Sequence, residues 1–268
     1  MYSKSRITQT AATIAALMGI GAPDCAEEAN AIVLEKARQS LPEGTDTFDR
    51  VLMYNPDAVA FWLYQKYTDL FTPALMRTGL QIPVESVMPS VTPVCFASMY
   101  TGAVPAIHGI RKYTKPVLTT DTLFDAALRA GKKCAIVAET DCSISKIFLE
   151  RAMDYFIYDT IDEVNAKALE LIKADEYDLI VVYNGNYDST MHKNAPENAL
   201  SLAALKRNSD DFAMLVDAVR ENWKDHNIFY GYCPDHGCHE IDGGNGSHGL
   251  DMDEDMIIVH MFGTVTKK

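Results

Sequence analysis

Residues 177–184 read YDLIVVYN. A short, nearly continuous apolar run rich in β-branched side chains predicts a strand buried on both faces, not one alternating between core and water. The same signature recurs at RVLMY (50–54), KKCAIVAE (132–139), HNIFYGYC (226–233) and MIIVHMFG (256–263), with a shorter strand at DYFIYD (154–159) and an extended stretch near 79–88. Helical spacing fills the intervals: 8–18, 24–39, AVAFWLYQKYTDLF from Ala58, a helix entered from PSVTPVCFASMYTG (89–102), and then 121–131, 160–174 and 199–223. Buried strands alternating with helices predict an α/β fold, a three-layer sandwich with a mostly parallel central sheet. No repeat, low-complexity tract or linker interrupts the 268 residues, so a single domain over 1–268 is expected.

Composition narrows the function. A 48% hydrophobic content supports a large core, while 24 basic against 37 acidic residues leave a formal charge of −13. Such a chain is a poor partner for polymeric nucleic acid, which needs a cationic surface. An anionic substrate would need a local cation. Cys25, Cys95, Cys134, Cys142, Cys233 and Cys238 form no CxxC pair and no framework spacing, so reduced thiols in a cytoplasm are expected. The opening MYSKSRITQTAATIAALMGIGAPDCA has basic residues before an apolar run, as a secretory signal does. Thr8, Gln9, Thr10 and Thr13 interrupt that run, and Ile7, Ala11, Ile14 and Met18 keep helical spacing, which favours an amphipathic helix. No window approaches the roughly eighteen apolar residues of a membrane helix, so a soluble protein with no membrane partner is expected.

In sheets of this kind ligands sit beyond the carboxyl ends of the strands. There the chain places Asp57 after RVLMY, Asp188 and His192 after LIVVYN, and Asp235 with His236 after IFYGYC, while His248 lies in a glycine-rich loop before MIIVHMF. Carboxylate oxygen and neutral imidazole nitrogen suit zinc, and catalytic sites leave one coordination position open. Asp188 and His192, four apart, share one side of a helical turn. Asp235 and His236 diverge unless the backbone turns irregularly, which Gly237 permits. Each signal has a plainer meaning when taken singly: a solvated helix face, a DHG turn, an exposed His248, or Asp57 and Thr92 as helix N-caps. Joint placement beyond strand ends points instead to two divalent metal ions, zinc by ligand type or manganese, which accepts similar donors. Cys233 and Cys238 read as apolar filling, His108 as structural, His239 as a supporting or exposed group, and Trp62, Tyr64 and Tyr67 as core.

PSVTPVCFASMYTGAVPAIHGI (89–110), YDSTMHKNAP (187–196), PDHG (234–237) and GSHGLDMDEDMIIVHMFG (246–263) resemble, in order and approximate spacing, motifs of the alkaline phosphatase superfamily. The match is to its type I phosphodiesterase and nucleotide pyrophosphatase branch. The resemblance implies that Thr92 is the nucleophile, that Asp57, Asp235 and His236 hold one metal with the Thr92 oxygen, and that Asp188, His192 and His248 hold the other. It implies a metal-dependent phosphoric ester hydrolase acting on a small phosphorylated substrate through a phosphothreonine. A phosphomonoesterase, a phosphomutase or a metal-binding pseudoenzyme are the alternatives on the same site.

Three departures qualify the match. Ala58 follows Asp57 where the family usually has glycine, and Cys95, a weak donor, takes the substrate-binding place of an asparagine. Only eleven residues separate His236 from His248, where the family commonly inserts a long segment. An open pocket, or one completed by another subunit of a homo-oligomer, is expected. Finally, ITQTAATIAALMGIGAP within 1–40 resembles a helix that relatives carry near their carboxyl end, which suggests a circularly permuted order.

Overall fold

The structure, a computed structural model, describes residues 5–267. In chain order its strands are β1 (Ser5–Arg6), β2 (Arg50–Pro56), β3 (Leu80–Glu85), β4 (Cys134–Glu139), β5 (Asp154–Tyr158), β6 (Leu179–Asn184), β7 (Ile228–Tyr232), β8 (His239–Ile241), β9 (Asn245–Ser247) and β10 (Ile257–Val265). Its helices are α1 (Thr10–Leu17), α2 (Ala31–Arg38), α3 (Phe61–Lys66), α4 (Thr72–Leu75), α5 (Thr92–Thr101), α6 (Pro105–His108), α7 (Leu123–Arg129), α8 (Ile144–Ile147), α9 (Ile161–Ala174), α10 (Asn186–Asn194), α11 (Ala199–Asn222) and α12 (Asp253–Met256).

Eight strands form one sheet in the order β1-β3-β10-β7-β2-β6-β4-β5, and β8 pairs with β9 in a separate hairpin. Strand β10 runs antiparallel to β3 and β7, and the other pairings within the large sheet are parallel. Successive side chains point to opposite faces of a strand. Val51, Met53, Leu179, Val181 and Phe229 therefore enter a core shared with α1, α2, α5 and α7, while Leu52, Tyr54, Ile180, Val182 and Tyr230 enter a second core with α9, α10 and α11. This is the mostly parallel three-layer α/β sandwich expected from the strand runs. Each fully buried large apolar side chain contributes about 1.5–3 kcal/mol.

Helix α5 carries the site's central residue and is buried along all ten of its positions. Helix α1 is likewise a core element, with seven of its eight residues buried and contacts to α2, α5 and α7. The first four residues of that amino-terminal run lie outside the described residues. No described helix is long and apolar enough to cross a membrane.

Local boundaries differ from expectation in three places. The helix expected over 24–39 begins only at Ala31, because the Asn30 side chain accepts hydrogen bonds from the Ile32 and Val33 amides and caps it there. The run from Ala58 is not one helix: Ala58 adopts a left-handed φ of 63°, α3 ends at Lys66, and a 3-10 turn over Thr68–Phe71 leads into α4. The β8–β9 hairpin occupies part of the loop between His236 and His248.

Candidate metal centre

Strands β7, β2 and β6 are neighbours in the sheet and run in the same direction. Their carboxyl ends consequently deliver side chains to one place. Asp57 follows β2, Asp235 and His236 follow β7, and Asp188 and His192 lie on α10 just after β6. His248 follows the β8–β9 hairpin, and Thr92 opens α5.

The structure gathers these side chains into two clusters. Ligand-type atoms of Asp57, Asp235 and His236 all lie within 4.8 Å of one another, as do those of Asp188, His192 and His248. The clusters adjoin, since the His236 and His248 rings stack with centroids 4.0 Å apart. Thr92 Oγ1 stands 3.2 Å from His236 Nε2. Neither Thr92 nor Asp57 caps a helix: the N-cap of α5 is Val91 and that of α3 is Ala60, so both polar side chains face the site.

Hydrogen bonding orients all three imidazoles alike. Nδ1 of His236, His192 and His248 lies 2.9, 2.9 and 3.0 Å from the carbonyl oxygens of Gly237, Gly246 and Ser90. A carbonyl only accepts, so each Nδ1 donates and a neutral ring presents its Nε2 lone pair to the site. His192 Nε2 and His248 Nε2 face one another at 3.2 Å, and they lie 3.2 and 3.5 Å from Asp188 Oδ1. Asp57 Oδ1 and Asp235 Oδ2 are buried and make no hydrogen bond, and buried Asp188 Oδ1 has only the two Nε2 atoms against it. An orphaned buried polar atom costs about 1–3 kcal/mol. Orphaned oxygens and convergent lone pairs of this kind are the donor set of a divalent cation.

The electrostatics divide along the same line. Burial, followed by repulsion from Asp188, pushes Asp57 up to about 7. Burial and then Asp57 hold Asp235 well above the carboxylate range, and burial holds His236 well below the imidazole range. In the other cluster burial works to raise Asp188, but His192 and His248 overcome it and keep the carboxyl well below its ordinary value. Asp188 in turn raises His192 to about 9, and it raises His248 against the opposing effect of burial.

Backbone geometry explains part of the motif. Ala58 donates its N–H to Asp235 Oδ1 at 3.3 Å from a left-handed turn, a conformation that costs a β-carbon about 1–2 kcal/mol and that glycine adopts freely. A β-carbon on Gly237 would fall 2.0 Å from the Glu254 carbonyl oxygen, and one on Gly246 would fall 2.3 Å from Met191 Sδ. Glycine at these positions lets the two histidine-bearing loops close on α10 and α12.

Other candidates sit apart. Cys95 is fully buried and is not among the residues lining the cavity that Thr92 lines; its Sγ lies 3.2 Å from Ser86 Oγ, which donates to the Asp235 carbonyl oxygen at 2.6 Å. Cys233 and Cys238 are buried outside both clusters. His108 Nε2 pairs with Ser98 Oγ at 2.9 Å, and burial lowers the ring to about 4. His239 Nδ1 bonds Asp255 Oδ1 at 2.7 Å, tying the DHG loop to α12.

Sequence reading missed Tyr183, whose hydroxyl donates to Asp57 Oδ2 at 2.5 Å. The usable signal was strand alternation, which puts Tyr183 with Leu179 and Val181 on the face covered by α5. Also missed were Glu139, which accepts the Gly185 N–H at 2.7 Å, and Tyr113 and Lys115. Together with Asp57 and Thr92 these residues line a cavity of about 210 Å³ beside the clusters.

A model of the type I phosphodiesterase / nucleotide pyrophosphatase family matches residues 57–256. Among solved structures, murine ectonucleotide pyrophosphatase / phosphodiesterase 5 aligns with a TM-score of 0.57 at 18% identity, covering 72% of this chain and 58% of that one. An inactive variant of the same murine protein in complex with AMP aligns at 0.58 and 18%, over 73% and 59%. Phosphonoacetate hydrolase from Sinorhizobium meliloti 1021, in complex with phosphonoformate, aligns at 0.53 and 16%, over 73% and 59%. At such identities the likeness establishes the fold. The chain spans somewhat under two thirds of these relatives' lengths, and no curated protein matches it.

Proposed function

The chain belongs to the type I phosphodiesterase / nucleotide pyrophosphatase family, and from that premise we propose a phosphoric ester hydrolase with Thr92 as nucleophile and two divalent metal ions, zinc by donor type. The observation that carries this reading is the meeting of two orphaned ligand clusters beside one threonine hydroxyl. Asp57, Asp235 and His236 would hold one ion together with Thr92, and Asp188, His192 and His248 the other. Bound ions would supply the charge that makes a threonine alkoxide available near neutral pH and that offsets the charge on a phosphoryl group.

The chain's own groups then have distinct parts. Thr92 Oγ attacks phosphorus, the bond to the leaving oxygen breaks, and water later cleaves the phosphothreonine to return the hydroxyl. The amino end of α5 faces the phosphoryl group with its partial positive charge, because Thr92 is the helix's first residue. The Gly237, Gly246 and Ser90 carbonyls fix the three rings, and Tyr183 fixes Asp57. Small phosphorylated molecules are the substrate class, as the AMP held by the murine relative suggests. The free thiols of all six cysteines favour a cytoplasmic setting. Residues 1–268 are read as one catalytic domain, with α1 built into its core.

The test compares hydrolysis of bis-p-nitrophenyl phosphate and p-nitrophenyl phosphate with zinc or manganese, before and after Thr92→Ala. Metal-dependent turnover abolished by the substitution is the expected result. Unchanged turnover in Thr92→Ala removes the covalent mechanism, and two bound ions without turnover favour a pseudoenzyme.

A further inference from the structure

The walls of the cavity beside Thr92 carry an uneven set of charges. Asp57 and Asp188 belong to its floor and to the ligand clusters. On the far wall, Asp141 pairs with Lys146 at 2.8 Å and its side chain is 79% exposed, so its charge is already matched and faces water. Glu139 accepts the Gly185 N–H and is shifted by burial toward its protonated form.

Lys115 is different. It is the one basic side chain lining the cavity, and its ammonium donates to a neutral acceptor, the Asp141 carbonyl oxygen, at 2.5 Å. Among the described residues no carboxylate pairs with it. The ammonium also lies 5.4 Å from the centroid of the exposed Tyr113 ring, which lines the same cavity. A cation whose nearby carboxylate, Asp141, is already paired with Lys146 remains available to an anion in a chain of net charge −13.

Size limits what that anion can belong to. The cavity's volume of about 210 Å³ falls below the usual range for drug-sized ligands, roughly 300–1,000 Å³. A phosphoryl group with a few further atoms fills it, and anything larger projects into solvent. Resting on the hydrolase reading above, we propose that Lys115 is a specificity-determining residue that binds a second anionic group of the substrate. The substrate class is then a small phosphate or phosphonate carrying a carboxylate or another phosphate a few bonds from the reacting phosphorus.

The test uses the zinc-loaded full chain with Thr92→Ala to block turnover, and calorimetric binding of ethyl phosphate, carboxymethyl phosphate and ethane-1,2-diyl bisphosphate. With Lys115 present, at least one of the doubly functional ligands is expected to bind about tenfold or more tightly than ethyl phosphate. Which of the two it is tells a carboxylate from a second phosphate. Lys115→Ala should erase that advantage while changing ethyl phosphate by no more than about twofold, and Lys115→Arg should restore most of it. Equal losses for all three ligands, or an advantage that survives Lys115→Ala, overturns the subsite and leaves the metal centre standing. If ethyl phosphate fails to bind with Lys115 intact, the metal-centre reading falls and the subsite falls with it.

Discussion

The two ligand clusters use the same residue types in opposite surroundings. Asp57, Asp235 and His236 are sealed from water, whereas the side chains of Asp188 and His192 are 18% and 40% exposed. In the sealed cluster burial drives every member toward its neutral form. In the open cluster burial is opposed by mutual attraction: the imidazoles favour the Asp188 carboxylate, and Asp188 shifts both rings upward. Without a cation, then, the open cluster compensates itself and the sealed one cannot. A metal ion should act as part of the fold in the sealed cluster and as a competitor of protons in the open one.

Thr92 lies at the seam, and its loss should have the largest effect. Thr92→Ala is expected to lower kcat by on the order of 10⁴-fold while both ions remain bound, checked by steady-state kinetics beside elemental analysis.

Next comes a contrast of sign. Asp235 has a folded-state pKa raised above its unfolded value, so its ionisation opposes folding at neutral pH. Asp235→Asn keeps an acceptor for the Ala58 N–H, and it should stabilise the metal-free protein by about 1–3 kcal/mol while weakening the sealed site about 100-fold. Asp188 has a depressed pKa, which contributes stability above the unfolded value of 3.8. Asp188→Asn should therefore destabilise the metal-free protein at pH 7, by about 1 kcal/mol. Thermal melts with and without chelator read both, and shifts of the same sign would break the contrast.

Tyr183→Phe is a smaller perturbation. Removing the donor to Asp57 Oδ2 should weaken metal binding in the sealed cluster about tenfold and leave the open cluster within twofold or so, as titration of the two sites would resolve.

The smallest effect is in proton release. His192 is raised from 6.5 to about 9 in the metal-free fold, so its stabilising contribution is complete below 6.5 and lost as pH rises through 9. A metal needs the neutral ring, so affinity at the open cluster should climb with pH toward 9 and then level. Calorimetry at pH 8 in buffers of different ionisation enthalpy should find roughly one proton released from this group per ion bound. A flat pH response would mean that the open cluster does not bind through His192.

Most of this arrangement was legible in the chain. Strand runs such as YDLIVVYN declared themselves because parallel strands are buried on both faces, and the residues after them had to emerge at one edge of the sheet. Asp57, Asp188 and Asp235 were found by that logic alone. What escaped was set by tertiary contact and not by pattern. Tyr183 looks like any strand aromatic until Asp57 is placed against it, and Lys115 sits in a proline- and threonine-containing loop with no periodicity. The helix expected from Ala58 failed because the turn that aims Asp57 requires a left-handed residue, and that local geometry overrides the apolar spacing beyond it.

The proposed reaction requires two cations flanking Thr92. Anomalous scattering from crystals of the full chain grown with zinc tests it most directly. Two peaks are expected, one among Asp57, Asp235 and His236 and one among Asp188, His192 and His248. Peaks elsewhere on the surface, with both clusters empty, would contradict it.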